Sequence, residues 1–178
     1  AQFVLYIGTI EERKNLLTVI KALHENKIDL PLVAIGRKTK YFEQIKTYIS
    51  STSSEKQFIF LENLPNTDLV SFYSIASVFI YPSVFEGFGI PILEALASGV
   101  PVITSKGGCF HEAGGPESVY VDPLSADEVA DAIQCVVSDY AKRSRMILSG
   151  KEYAARFKDE EVSKNLMEVY SNVLSNGI

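Results

Sequence analysis

The chain has 178 residues, 47% of them hydrophobic, and a formal net charge of −5, with a mean hydropathy of +0.10. That length and apolar content suit one domain with a sizeable core and exclude a disordered chain, and no apolar run approaches the about 20 residues of a membrane span. The acidic balance argues against a nucleic-acid surface or a polybasic membrane patch, so any anionic ligand must be held by a local cluster of positive groups. Cys109 and Cys135 read as free thiols in a reducing, cytoplasmic compartment, a single disulfide being the alternative. The start at Ala1, almost at once inside an apolar run, reads as a domain cut from a longer protein.

In chain order, Phe3 to Ile7 is a strand ending at Gly8, and Asn15 to His24 carries Leu16, Leu17, Val19, Ile20 and Leu23 at helical spacing. Leu32 to Ile35 is a second strand closed by Gly36, followed by a helix from Tyr41 to Ile49 and a polar loop from Ser50 to Ser54. Phe58 to Leu61 is the third strand. Asn66 then caps a helix from Thr67 to Ala76, with Leu69, Val70, Phe72 and Tyr73 on its inner side. Val78 to Tyr81 is a buried fourth strand, after which Gly87-Phe88-Gly89 forces a sharp turn and Pro91 sits in the first turn of an apolar helix. Val100 to Thr104 and Val119 to Val121 are strands five and six. Three helical stretches close the chain: Ala126 to Val137, Ala141 to Phe157 with a break near Gly150, and Val162 to Leu174.

Short strands alternating with helices predict an α/β fold, a Rossmann-like doubly wound parallel sheet of about six strands with helices on both faces. In such sheets ligands bind beyond the carboxyl ends of the strands, where strand order reverses. The rule nominates the loops after strands one, four and five: Gly8 to Asn15, Ser83 to Pro91 and Ser105 to Gly115.

The first of these loops puts Arg13 and Lys14 at the entrance to a helix. Arg offers a planar fork to phosphate oxygens, Lys a point charge, and the helix start unpaired N–H groups, an arrangement suited to a diphosphate. Taken alone, a solvated surface pair is the plainer reading. Around the second loop stand Glu86, in the turn, and Glu94, in the helix. Glu86 alone could be a helix cap and Glu94 an exposed helical residue. The helix is so apolar, however, that burial nearly all round is expected, and a buried Glu94 needs a partner such as two ligand hydroxyls.

Glu86 and Glu94 form an E-x7-E pattern, EGFGIPILE, followed by ALASGVPVITS. With GTIEERKN near the start and ESVYVDPLSADEVADAI further on, the whole chain resembles the C-terminal, donor-binding domain of GT-B glycosyltransferases of family 4. The resemblance implies one half of a GT-B enzyme: a single nucleotide-sugar-binding domain over residues 1–178, with the N-terminal acceptor domain of the same polypeptide absent. It implies a retaining hexosyltransferase acting in polysaccharide or glycoconjugate synthesis, with a nucleoside-diphosphate sugar as donor and neither cofactor nor metal. Gly8, Arg13, Lys14, Gly36, Leu64, Glu86, Gly87, Phe88, Gly89, Ile90 and Glu94 are then donor-binding residues. Arg13 and Lys14 meet the diphosphate, Glu86 the sugar hydroxyls as the catalytic-site carboxylate, and Glu94 the ribose. Backbone N–H groups around Phe88, Gly89 and Ile90 meet sugar and phosphate, and Gly36-Arg37-Lys38 and Leu64 line the base pocket. His111 and Glu112 fall where the family places a ligand loop, although Gly114-Gly115-Pro116-Glu117 departs from its usual run; a surface loop without ligand is the alternative.

The closing helix, with Val162, Leu166, Val169, Val173 and Leu174 near helical spacing, is expected to pack on the sheet's own helices; the resemblance implies instead that it reaches the N-terminal domain. Membrane association of the full-length protein is not encoded in this stretch. The isolated chain is expected to bind nucleotide weakly and to transfer nothing. Three other readings stand beside this one: a glycosidase built on Glu86 and Glu94, a non-catalytic nucleotide-sugar-binding module, and a nucleotide-sugar epimerase of related fold.

Overall fold

In the computed structural model, residues 2–52 and 57–176 are described. Among these residues, six parallel strands form one sheet: β1 (Val4–Ile7), β2 (Leu32–Ile35), β3 (Phe58–Leu61), β4 (Val78–Tyr81), β5 (Val102–Ser105) and β6 (Val119–Val121), in the order β3-β2-β1-β4-β5-β6. The order reverses between β1 and β4, which pair through Val4 with Val78 and Leu5 with Phe79. Among the described residues, eight α-helices connect and close these strands: α1 (Leu16–Glu25), α2 (Phe42–Thr52), α3 (Asn66–Ile75), α4 (Ile90–Ser98), α5 (Phe110–Gly114), α6 (Ala126–Ser138), α7 (Tyr140–Ala155) and α8 (Asp159–Asn176).

Alternation along the strands sends successive side chains to two separate cores. Val4, Tyr6, Leu32, Ala34, Val78 and Ile80 join Leu16, Ile20, Ile45, Val129 and Ile133 beneath α1, α2 and α6. Leu5, Ile7, Val33, Ile35, Phe79 and Tyr81 join Tyr73, Ile92, Leu96 and Phe110 beneath α3, α4 and α5. Both faces are thus covered, so the central strands are apolar in continuous runs rather than alternating with polar residues. Burying a side chain such as Ile20 or Ile92 contributes about 1.5–3 kcal/mol.

Several expectations are corrected. The segment Ser50 to Thr52 continues α2, while Ser53 and Ser54 lie outside the described residues. Asn66 is the first residue of α3, and the cap position falls to Pro65, with no side-chain hydrogen bond to the helix. On α3 only Tyr73 is buried; Val70 is exposed, because this helix packs through one narrow stripe. Strand β5 begins at Val102 rather than Val100. Gly150 breaks nothing: α7 runs through it, and a Cβ there would stand 2.8 Å from Leu96 Cδ2, so the glycine lets α7 approach α4 closely. Finally, α8 does not pack on the sheet's helices. All of its described side chains are exposed, including Val162, Leu166, Val169, Val173 and Leu174. No helix among the described residues is long and apolar enough to cross a membrane.

Candidate donor-binding site

The carboxyl ends of β1 and β4 flank the switch point, and the loops leaving them are stitched together. Beyond β1, Gly8 N–H donates to the Ile35 carbonyl (2.9 Å), and a 3-10 turn, Glu12–Lys14, carries the two cations ahead of α1. Asn15 ends the turn in the left-handed region (φ 54°), tied down by its amide to the Pro123 carbonyl and by the Thr18 hydroxyl donating to it (2.8 Å). Across the gap, Val84 N–H donates to the Arg13 carbonyl (2.8 Å). The backbone of one loop therefore fixes the other, and Arg13 and Glu86 are brought face to face.

Glu86 is the meeting point. Its Oε1 accepts hydrogen bonds from Ser83 Oγ (2.7 Å) and Tyr81 Oη (2.9 Å), with Arg13 Nη1 at 2.8 Å and Lys14 Nζ at 3.4 Å. Lys14, with a side chain only 13% exposed, also donates to the Tyr81 hydroxyl at 2.7 Å. Arg13 donates further to Glu11 (2.7 Å) and to the Phe85 carbonyl. Burial of Glu86 would raise its pKa, but the Ser83, Arg13 and Tyr81 hydrogen bonds and the Lys14 charge together hold it below the usual carboxylate range. Burial and the bond to Glu86 push the Tyr81 phenol well up, so it serves as a neutral donor. The hydroxyls of β5 support this end of β4: Thr104 Oγ1 donates to the Tyr81 carbonyl (2.9 Å) and Ser105 Oγ to the Ser83 carbonyl. Cys109 Sγ donates to the Glu86 carbonyl (3.3 Å), and both Cys109 and Cys135 are free thiols.

The turn into α4 follows. Gly87 has open space around it, and Phe88 packs against Phe157 with the rings tilted and their centroids 5.7 Å apart. Gly89 takes φ 116° at the helix cap, where a Cβ would meet Ile92 Cδ1 at 3.0 Å. No side chain caps α4, so Glu86 is not its cap, and Pro91 lies in its first turn. The backbone N–H groups at this helix start are the natural partners of an anion.

Glu94 is placed differently from expectation. The helix buries Ile92, Ala95 and Leu96 but exposes Ile90, Glu94 and Ala97, because one side of α4 is turned outward. Glu94 does have a protein partner: Tyr73 Oη donates to its Oε2 at 3.0 Å. Burial first, and then Glu94, push the Tyr73 phenol well up. Glu86 and Glu94 share none of these partners.

Of the other expected residues, Gly36 packs directly on the first loop, where a Cβ would lie 2.0 Å from the Gly8 carbonyl oxygen. Lys38 is paired with Glu62 (3.1 Å). Leu64 packs against the second core. His111 stacks on Tyr120 with ring centroids 3.8 Å apart, and Tyr153 Oη donates to the Glu112 carbonyl, so this loop is held by aromatic packing. Sequence reasoning missed Tyr81 and Ser83. Their signal was position, the last residue of a strand and the second of the loop that follows it, at the strand end where sheets of this kind place their sites.

The doubly wound order puts a basic pair, Arg13 and Lys14, at the switch point, the place where sheets of this kind carry their ligand sites. The profile described as "Glycosyl transferases group 1" matches residues 1–153. The chain belongs to that family of glycosyltransferases. It is 30% identical over 172 residues to O-antigen chain mannosyltransferase B of Escherichia coli, covering 94% of this chain and 45% of the relative. The chain therefore spans a little under half the length of that relative. Among solved structures, the C-terminal domain of a glycosyl transferase group 1 family protein (LpcC) from Francisella tularensis superposes with a TM-score of 0.76 at 25% identity, covering 87% of this chain and 85% of that one. HepE from Anabaena, solved with UDP and glucose, superposes at 0.86 over 97% of this chain and 49% of its own; its 20% identity shows likeness of fold.

Proposed function

We propose that this chain is the donor-binding half of a retaining glycosyltransferase that moves a sugar from a nucleoside diphosphate to an acceptor hydroxyl. The observation that carries the reading is the convergence of Arg13 and Lys14 with Glu86 across the switch point. Two cations and the start of α4 meet the diphosphate, and they stabilise it most as negative charge develops on the departing phosphate. Charge neutralisation of this kind needs no metal ion. Glu86 accepts from sugar hydroxyls and orients the ring. Glu94, exposed on α4, accepts from the ribose hydroxyls, while Gly36 and Leu64 border the base. Membership of the family and the mannosyltransferase relative support glycosyl transfer in polysaccharide synthesis.

The acceptor half of the cleft lies in an N-terminal domain outside this chain, in keeping with the relative's greater length. The exposed apolar residues of α8 fit a partner beyond this domain. The glycosidase reading fares less well. That reading leaves Arg13 and Lys14, the basic pair beside Glu86, without a task, since an uncharged glycoside brings no anion for them to neutralise.

A thermal-shift panel of UDP, GDP, ADP and their sugar conjugates tests the proposal, because a ligand of the native state raises its apparent stability. One base should shift the unfolding temperature, with the shift reduced in Glu94→Gln. No shift with any nucleotide, or full retention in the variant, would count against the assigned roles.

A further inference from the structure

The two cations assigned to the diphosphate are held here by Glu86: Arg13 Nη1 and Lys14 Nζ stand 2.8 and 3.4 Å from the same carboxylate oxygen. A diphosphate that takes them must displace Glu86 or share them with it. Displacement leaves a carboxylate 13% exposed with only Ser83 and Tyr81 as donors. It also sets two anions beside one another, which is unfavourable for both.

Resting on the donor-binding reading above, we propose that Glu86 makes the site select a sugar-bearing diphosphate over a bare nucleoside diphosphate. The discrimination has two sources. A sugar brings neighbouring hydroxyls that donate to the displaced carboxylate, restoring the partners it loses; a bare diphosphate brings none. In addition, the terminal phosphate of a nucleoside diphosphate is a monoester-like group whose second ionisation falls at about pH 6, whereas the glycosylated phosphate has no second proton to lose. The bare species therefore carries more negative charge at pH 7, and repulsion from Glu86 falls harder on it. After transfer the cleaved nucleoside diphosphate is the disfavoured ligand, and Glu86 recovers Arg13 and Lys14 as it leaves. Selection against the product is thus built into the residue that orients the sugar.

Calorimetric titration of the chain and of Glu86→Gln with UDP, GDP, ADP, their glucose and mannose conjugates, and inorganic pyrophosphate tests the inference. The amide keeps the shape but neither the charge nor the ion pairs. Bare diphosphate and pyrophosphate should bind Glu86→Gln about three- to tenfold more tightly, while the conjugate, which loses the carboxylate that accepts from its hydroxyls, should bind more weakly. Equal or weaker binding of the bare species by the variant, with wild type binding both forms, would overturn the inference and leave the donor-binding reading standing. Binding of no nucleotide by wild type would overturn both. Should Glu86→Gln fail to fold, a crystal structure of wild type with the bound nucleoside diphosphate decides: separation of Arg13 from Glu86 beyond about 4 Å supports the exchange, and an intact pair contradicts it.

Discussion

Lys14 and Glu86 stand on opposite sides of the β1–β4 switch point and are joined through one hydroxyl: Tyr81 accepts from Lys14 Nζ at 2.7 Å and donates to Glu86 Oε1 at 2.9 Å. The relay lets a cation and an anion stay close, 3.4 Å apart, at a site where both side chains are only 13% exposed. Replacing Tyr81 with Phe removes the relay while keeping the ring in the core. Urea unfolding should show a loss of about 1–3 kcal/mol, the penalty for leaving charged hydrogen-bonding groups short of a partner. A loss below a few tenths would mean that water replaces the hydroxyl.

Acid stability isolates Glu86. Its folded pKa lies below the unfolded value of about 4.3, so its contribution is complete above that value and is lost as pH falls through the folded pKa. Glu62 beside Lys38 and Glu128 beside Lys106 shift in the same direction, so wild type alone does not separate them. The difference between wild type and Glu86→Gln does. Wild type should be the more stable at pH 7, and the gap should narrow as the pH falls below the unfolded pKa and through the folded one. A gap that widens on acidification would contradict the sign of the shift.

Gly36 binds the first two loops by contact. With a Cβ 2.0 Å from the Gly8 carbonyl oxygen, Gly36→Ala must push the ends of β1 and β2 apart. A loss of about 2–4 kcal/mol in chemical denaturation is expected. The equivalent change at Gly87, which has nothing within 4 Å, should cost little stability. If Gly87→Ala nevertheless weakens nucleotide-sugar binding in calorimetry, the open space beside Gly87 serves the ligand.

Tyr73 and Glu94 separate stability from binding in the same way. Tyr73→Phe removes the 3.0 Å bond to Glu94 and should lower stability by about 0.5–1.5 kcal/mol. With Glu94 freer to rotate, nucleotide affinity should fall modestly, and less than in Glu94→Gln. Identical losses in the two variants would mean that Glu94 acts only through Tyr73.

The alternation of short apolar strands with helices was enough to reveal the doubly wound sheet, and the strand-end rule pointed to the Arg13–Lys14 and Glu86 loops. What stayed hidden depended on packing between distant elements. Tyr81 reads as one more apolar strand residue until Lys14 is brought beside its hydroxyl. The apolar composition of α4 suggested burial on every side, yet Ile90 is 64% exposed, because that face of the helix is turned away from the core. Gly150 looked like a break, since nothing local reveals that Leu96 presses against it. The apolar residues of α8 have helical spacing, but spacing does not say which surface, if any, they meet.

If Arg13 and Lys14 hold a donor diphosphate, removing both charges must loosen it. Titration of the chain and of the Arg13→Gln/Lys14→Gln double variant with the best nucleoside-diphosphate sugar from the thermal-shift panel tests it most directly. Wild type should bind, and the double variant should lose at least about tenfold in affinity with its far-ultraviolet spectrum retained. Unchanged affinity in a folded double variant would contradict it.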